Sequence, residues 1–478
     1  MQTLEYDTPS ATAEHVADSD ITAAVELFFI TQKGVAAHLI DVATHAGIVR
    51  LTGITDNLLS RERAEEIALA LRGVQGVVNE LIISTPDVPD EALQHDAARA
   101  LDADPATSDY NVRAAAAEGV LTLSGAVQSW AEKELVLRVV RGVRGVRRVE
   151  ADELHVRWGE NVNSDEQITT QIRELLDWDI RVRSTLVEVR TEDRRVQLWG
   201  TVGTAAEKAH VVTIAYQAGA TAVEARDLFV ASWASSSALR PDQAVEHSDA
   251  DIAQAVLDAF RFDPRVLAYQ PVVTVHRGLV TLSGTVSNLR ARQDAERDAR
   301  HVVGVWDVQN LLKVRSTRFI PDLHIGQTIK EALARDPYVG FREFTVFVQN
   351  GKASLYGLVN SQFEREQAGD VASGVNGVAA LDNWVKVPDS PGFDGYHTYS
   401  ARPSADFTLA QRIRNRLFWS ASLHGHDLTV EVKKDRATLS GTVATWLDRE
   451  RAAREAYAAG ARHVDNELLV ATMNGMDY

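Results

Sequence analysis

The 478-residue sequence contains no cysteine. Disulfides, zinc–thiolate sites and cysteine nucleophiles are therefore excluded. The amino-terminal segment lacks the basic start and apolar run of a signal peptide, and no stretch is apolar enough to span a bilayer. We therefore expect a cytoplasmic protein, with the periplasm as the less favoured location.

Positive charge is also scarce, with 50 Lys and Arg against 67 Asp and Glu and a net charge of −17. This balance disfavours general affinity for nucleic acid or an anionic membrane, although local patches can differ. No Ser-His-Asp order, Walker loop or HExxH motif occurs. His424 and His426 lack a third ligand at a recognisable spacing. We predict no enzymatic activity, no cofactor, no metal and no nucleic-acid partner.

One pattern is present six times. An alternating apolar strand ends in a glycine, a helix-capping residue follows four positions later, and a second glycine lies 19 or 20 residues after the first. This periodicity indicates an array of similar modules. The first glycines are Gly53, Gly125, Gly200, Gly284, Gly357 and Gly441, and the second are Gly73, Gly145, Gly219, Gly304, Gly377 and Gly460.

The strand before each first glycine has one apolar and one polar face. In the fourth repeat, Val280 and Leu282 point to one side, and Thr281 and Ser283 to the other. A turn and another apolar strand precede it, which predicts a hairpin. The predicted fold class is α+β, with each module folding as αββαβ and two helices covering one face of a three-stranded sheet. The predicted caps of the second helices are Asn57, Ser129, Thr204, Asn288, Ser361 and Thr445.

Linkers divide the chain into modules. A longer linker at 234–247 is predicted to separate two three-module halves, and another at 389–402 is rich in Gly, Pro, Ser and Tyr. The predicted modules 1 to 6 are residues 18–86, 90–158, 164–232, 248–316, 321–388 and 404–472.

These features resemble the BON domain, a bacterial osmotic-stress and nodulation family. The resemblance is clearest in module 4, at Val280–Gly284 followed by Gly304–Asn310. Modules 2 and 3 depart from it, because Ala151 and Ala225 replace the final asparagine. The resemblance implies a non-enzymatic protein linked to osmotic or envelope stress, with attachment to phospholipid as a proposed property of the family. Asn79, Asn383 and Asn466 also match that final asparagine.

The repeated glycines and asparagines are interpreted as turn chemistry, with the asparagine bonding locally. The densest basic run is the candidate anion or phospholipid site. Its alternatives are an ion-paired solvated surface and an interface with an acidic neighbouring module. The run consists of Arg138, Arg141, Arg144, Arg147 and Arg148.

Trp199 and Tyr356 fall on the sheet face that the helices leave uncovered, so we predict that they contact neighbouring modules. The same surfaces are expected to support homo-oligomers. The leading functional hypothesis is a stress-related binding or scaffold protein. Its alternative is a peripheral binder of anionic phospholipid surfaces through the arginine run of module 2.

Overall fold

A computed structural model describes residues 16–31, 34–157, 163–235, 247–315, 319–387 and 405–470. In each repeat the described elements follow the order helix, strand, strand, helix, strand, which confirms the α+β class and the six tandem modules. The first helices are Asp18–Thr31, Asp90–Ala103, Asp165–Trp178, Asp249–Phe260, Asp322–Arg335 and Ala405–Trp419. The second helices are Leu58–Leu69, Trp130–Arg141, Ala205–Gln217, Leu289–Arg300, Gln362–Ser373 and Trp446–Ala458. A short extra helix, Pro264–Leu267, follows the first helix of module 4.

Each sheet has the second strand at its centre, antiparallel to the first and parallel to the third. The first strands are Ile40–His45, Asn111–Ala117, Val187–Glu192, Val272–His276, Phe344–Gln349 and Leu428–Lys433. The second are Ile48–Thr55, Val120–Val127, Arg195–Val202, Leu279–Ser283 with Thr285–Val286, Lys352–Gly357 and Arg436–Val443. The third are Gly76–Asn79 with Ile82–Ile83, Arg148–Val156, Ala222–Glu224 with Leu228–Val230, Asp307–Asn310 with Lys313–Val314, Ala380–Asn383, and His463–Asn466 with Leu469–Val470.

The six predicted helix caps are confirmed. Asn57, Ser129, Thr204, Asn288, Ser361 and Thr445 each accept a hydrogen bond from the backbone N–H three residues later. A second cap, not predicted, ties the first helix to the hairpin. In module 4, the carboxylate of Asp249 accepts from the N–H groups of both Arg277 and Gly278 in the turn. Modules 1, 3, 5 and 6 repeat it with Asp18, Asp165, Asp322 and Asp406.

The sequence predicted that the first glycine ends its strand, and in module 1 this prediction is wrong. The strand Ile48–Thr55 runs through Gly53, which has a φ of +111°. A Cβ at this position would lie 2.2 Å from the carbonyl oxygen of Leu39, the residue just before the paired strand. Close approach of two backbones, in a conformation that L side chains rarely adopt, accounts for the glycine.

The repeated asparagine bonds across the module as well as locally. In module 4, Asn310 Nδ2 donates to the Arg292 carbonyl at 2.8 Å, and Arg292 Nη2 donates to the Asn310 carbonyl at 3.0 Å. Asn310 Oδ1 also accepts from the N–H of Leu312. This Arg–Asn lock fixes the second helix against the kink of the third strand, and it recurs in modules 1, 5 and 6.

Modules 2 and 3 have alanine in place of this asparagine, and module 2 replaces the lock with a lysine. In module 2, Lys133 Nζ donates to the carbonyls of Ala151 and Leu154 at 2.9 and 2.8 Å. The third strand contains a bulge there, because Thr122 pairs with Glu150 but Ser124 pairs with Glu153. The third strand of module 2 therefore accommodates one extra residue as a bulge.

Each module has its own apolar core between its sheet and its two helices. Contacts between modules run mainly through helices: the second helices of modules 1 and 3, 2 and 3, and 4 and 5 pack together, as do the first helices of modules 2 and 5. No helix among the described residues is long and apolar enough to cross a bilayer.

The predicted division into two halves does not describe this packing. Residues 236–246 of the linker lie outside the described residues, as does the whole linker at 389–402. Modules 3 and 4, on either side of the first linker, are joined by backbone hydrogen bonds. The two sets of three modules are therefore in direct contact.

Candidate functional site

Arg141 of the predicted arginine run faces another module. Its guanidinium contacts Glu62 of module 1 at 3.3 Å and Glu134 of its own helix at 3.1 Å. Burial at this junction raises the pKa of Glu62, and Arg141 acts in the opposite direction. Arg141 thus supplies the counter-charge for a carboxylate that the packing of two modules has desolvated.

The remaining arginines of the turn and third strand also have partners. Arg144 donates its backbone N–H to the Arg335 carbonyl at 2.7 Å and its side chain to the Gly340 carbonyl at 3.4 Å, both in module 5. Arg147 forms an ion pair with Asp87, and Arg148 forms one with Glu150 at 2.7 Å. The binding of phospholipid by these residues stays a prediction.

Arg138 differs from the other four. It borders a cavity, its side chain is solvent-accessible, and among the described residues it forms no hydrogen bond or ion pair. Desolvation by the surrounding modules lowers its pKa, and the nearby positive charge of Arg265 lowers it further. Among the described residues, Arg138 is therefore the one guanidinium of the run without a direct hydrogen-bond or ion-pair partner.

The two predicted contact aromatics make their described contacts within their own modules. Trp199 Nε1 donates to Glu188 at 3.1 Å. Tyr356 packs edge-on against Phe347 at 6.1 Å, and the two rings are 42% and 64% exposed. The described contacts therefore give no support to a role for these two residues between modules, because helices occupy the module interfaces.

The interfaces are built instead from the ends of helices. Between modules 3 and 4, Ile180 N–H donates to the His301 carbonyl at 3.0 Å, and Val303 N–H donates to the Trp178 carbonyl at 2.9 Å. The end of a first helix thus pairs with the end of a second helix, forming an isolated antiparallel bridge. The backbone groups that helix ends leave unpaired are satisfied by the other module.

Modules 1 and 6, at opposite ends of the chain, repeat this junction. Arg72 N–H donates to the Trp419 carbonyl at 3.0 Å, and Ala421 N–H donates to the Ala70 carbonyl at 3.2 Å. The Arg144–Arg335 bond places modules 2 and 5 in the corresponding arrangement. The three helix-end junctions therefore pair module 1 with 6, 2 with 5 and 3 with 4.

A buried arginine strengthens the junction of modules 1 and 6. The Arg416 side chain is 2% exposed and contacts Glu455 of its own module at 2.7 Å. It also donates to Thr31 Oγ1 at 2.6 Å and lies 4.1 Å from the centre of the Phe28 ring, both in module 1. The packing of two modules thus depends on a desolvated charge that has partners in both.

A cavity lies where modules 2, 3 and 4 meet, with a volume of about 1230 Å³. Its apolar surface includes Trp130, Trp178 and Phe262. Its charged walls include Arg138 of module 2, Arg181 of module 3 and Arg265 of module 4, together with several carboxylates. A cavity shared by three modules exists only while those modules are packed together.

Ionisable groups beside this cavity are strongly perturbed. Asp179 lies between Arg181 and His210, at 2.6 and 2.7 Å, and these hydrogen bonds keep its pKa well below the usual range. Burial raises the pKa of Asp298 well above its ordinary value, and the neighbouring carboxyl of Asp263 adds to the shift. Burial lowers the pKa of His301 to about 3, and the charge of Arg181 acts in the same direction.

Arg138 could be identified from the sequence, but the cavity and the junctions between modules could not. Arg416, His301 and Asp298 appear in the sequence as ordinary helix residues. Their partners lie in other modules or on other elements, and no spacing rule connects them. Only Trp130 and Trp178, large aromatics beside charged helix positions, offered a local signal.

Six small α+β modules that satisfy one another's helix ends define a tandem-module protein. The chain belongs to the BON family, because the BON domain matches it over residues 17–85, 89–157, 164–227, 248–316, 321–389 and 405–472.

A curated relative matches part of the chain. Osmotically-inducible protein Y of Escherichia coli (strain K12) is 34% identical over 120 residues, which cover 24% of this chain and 60% of that protein. The chain thus spans about 60% of the relative's length.

Two solved structures of CdsD, a structural protein of the type III secretion system of Chlamydia trachomatis, are 15% and 16% identical. Each covers 48% of this chain, and the matches cover 94% and 100% of those chains. Their TM-scores are 0.13, a level that carries no argument.

Proposed function

We propose that this chain is a non-enzymatic scaffold or binding protein linked to osmotic or envelope stress. The BON membership and the name of its osmotically inducible relative support the link to stress. The observation that carries the scaffold role is the pairing of helix ends between modules far apart in sequence. Such pairing holds six surfaces in a fixed relation, which is what a scaffold requires.

A deletion strain tests the proposal. Loss of the gene is expected to slow growth after an osmotic upshift, and the wild-type gene restores growth. Arg416→Ala, which weakens the junction of modules 1 and 6, is expected to restore it poorly. The matched control is Arg436→Ala. The side chain of Arg436 is 53% exposed and pairs with a residue of its own module. Full growth of the deletion strain under all osmotic conditions tested would contradict the link to stress.

A second role, peripheral binding to anionic phospholipid, is favoured by the position of Arg148. Its side chain is 66% exposed, and its ion-pair partner Glu150 belongs to the same strand. An exposed arginine near an anionic surface adds about 1 kcal/mol to binding. Sedimentation with anionic vesicles at low salt tests the role. A variant with Ala at Arg141, Arg144, Arg147 and Arg148 is expected to bind less, and unchanged binding would contradict it.

Homo-oligomers and a cytoplasmic location are part of the proposal. The exposed rings of Phe347 and Tyr356 offer apolar surface for association between chains. Sedimentation velocity at high micromolar concentration is the direct test, and a strictly monomeric mass would contradict association. Fractionation of cells gives the location, and recovery from the envelope fraction would contradict the cytoplasm.

A further inference from the structure

We propose that the cavity between modules 2, 3 and 4 binds a small organic phosphate, and that Arg138 is the residue that contacts its phosphate group. The inference goes beyond the scaffold role. It depends on the packed arrangement of the three modules, because each of them supplies part of the cavity wall.

Four of the five arginines that line the cavity already have a carboxylate partner. Arg181 pairs with Asp179, Arg261 with Asp258, Arg265 with Asp104 and Arg297 with Asp294, at distances between 2.6 and 3.2 Å. Arg138 has no such partner among the described residues. Its guanidinium therefore retains its full hydrogen-bonding capacity, a planar set of donors that matches phosphate.

The environment of Arg138 is unfavourable for its positive charge. The surrounding modules desolvate Arg138, and Arg265 repels it. A bound anion would offset the repulsion by Arg265, because it supplies opposite charge beside a guanidinium that is still solvent-accessible. Three nearby acids, Glu66, Glu134 and Asp263, compensate Arg138 in part. However, Glu134 already pairs with Arg141 at 3.1 Å, and Asp263 lies 3.7 Å from Arg297.

The lining of the cavity suits an organic ligand, and its volume leaves room for one. A volume of about 1230 Å³ is far larger than one phosphate ion requires and exceeds the range of about 300–1,000 Å³ that is usual for small-molecule sites. Trp130, Trp178 and Phe262 supply apolar surface in the same cavity, which suits the organic part of a ligand. Hydrogen-bonding side chains such as Gln171 and Thr170 suit its polar groups.

The position also distinguishes a free ligand from a lipid in a bilayer. Arg138 lies on the second helix of module 2, whose neighbours are helices of modules 3 and 4. A planar membrane surface cannot enter an open cleft between three modules, whereas a dissolved phosphate monoester can. The phosphate chemistry is shared by both sources, so the experiment must separate them.

Titration calorimetry at low salt, with inorganic phosphate and glycerol phosphate as probes, tests the site. Both probes are expected to bind, and more weakly as salt is added, because salt screens the attraction between the Arg138 guanidinium and the phosphate group. Arg138→Ala is expected to weaken binding at least about tenfold, the effect of losing one charge-assisted hydrogen bond. Arg148→Ala is the matched control, since it removes an exposed arginine outside the cavity, and is expected to change affinity less than about twofold.

Several results would overturn the inference. One is the absence of binding at millimolar concentrations of either probe. Another is equal affinity of the wild type and Arg138→Ala. The third is an effect of Arg148→Ala as large as that of Arg138→Ala. Vesicles of phosphatidylglycerol form the second arm, and sedimentation that depends on Arg138 would also overturn it.

Two further measurements keep the result interpretable. Arg138→Gln keeps a polar, uncharged side chain at this exposed position, is expected to fold normally, and should also lose binding. Solution scattering of the same samples separates the inference from the scaffold proposal. A compact profile without phosphate binding overturns the cavity site alone, whereas an extended profile overturns the packing on which it depends.

Discussion

Arg365 and Asn383 of module 5 bond to each other's backbone. Arg365 Nη2 donates to the Asn383 carbonyl at 3.1 Å, and Asn383 Nδ2 donates to the Arg365 carbonyl at 2.7 Å. Eighteen residues separate them in the chain, so the pair joins a helix to a strand that the intervening turn alone would leave free to shift. The asparagine that marks the repeats is therefore a structural tie within the module.

Replacing Asn383 with Ala is expected to destabilise the protein by about 1–3 kcal/mol, because it leaves the Arg365 carbonyl without its partner. Urea denaturation measures the change. Asn360→Ala is the control, since Asn360 is an exposed asparagine of the same module. Equal stability of the two variants would show that the lock contributes nothing.

Replacing Gly53 with Ala is expected to cost about 2 kcal/mol or more. The new Cβ would lie 2.2 Å from the Leu39 carbonyl oxygen, and the φ of +111° is unfavourable for alanine. Gly425→Ala is the matched control, because a Cβ there meets no atom within 4 Å. A thermal melt that shifts equally for both variants would contradict the account of the repeated glycine.

Replacing Arg416 with Ala is expected to cost about 3 kcal/mol, because Glu455 would remain beside the interface without its partner. Arg416→Met, which keeps the packing against Phe28 and lacks the charge, shows how much of the loss is due to packing. Arg436→Ala serves as the exposed control. Limited proteolysis provides a second measurement, since cleavage should become faster only for the buried arginine.

Acid is expected to weaken the junction of modules 3 and 4 through His301. Its pKa in the packed state is about 3, below the ordinary value of 6.5, so the packed state favours the neutral ring. This contribution to stability is complete above about pH 6.5 and is lost progressively as the pH falls toward about 3. At pH 5 the loss is about 2 kcal/mol.

His301→Ala tests this dependence, because alanine occurs at the corresponding position of the other full junction, Ala70. The variant is expected to lose less stability than the wild type between pH 7.5 and pH 5, measured by chemical denaturation. His155→Ala, at an exposed position of module 2, is the control. An identical pH dependence in wild type and His301→Ala would contradict the role of this histidine.

What the sequence predicted was local. Ser129 and Asn288 could be recognised as caps because their partners lie three residues away. The bond from Gly278 to Asp249 spans 29 residues and leaves no pattern within one repeat, although the recurrence of an aspartate at that spacing in five modules would have been visible. The junctions could not be predicted, because they join backbone groups of helix ends, and such groups are present in every sequence.

The candidate site could be predicted only in part, for a related reason. The arginine run was visible as composition, but which of its members keeps a free charge depends on acids elsewhere in the fold. Glu62, which pairs with Arg141, lies in another module. A partner for Arg138 is absent among the described residues, and no local pattern distinguishes it from its neighbours.

Small-angle scattering of the whole chain at neutral pH tests the central claim, that six modules pack into one body through their helix ends. A compact body of 478 residues should have a radius of gyration of about 23 Å. The profile should be that of a folded globule and should not change on dilution. A radius about twice as large, with the profile of flexibly linked beads, would contradict the account.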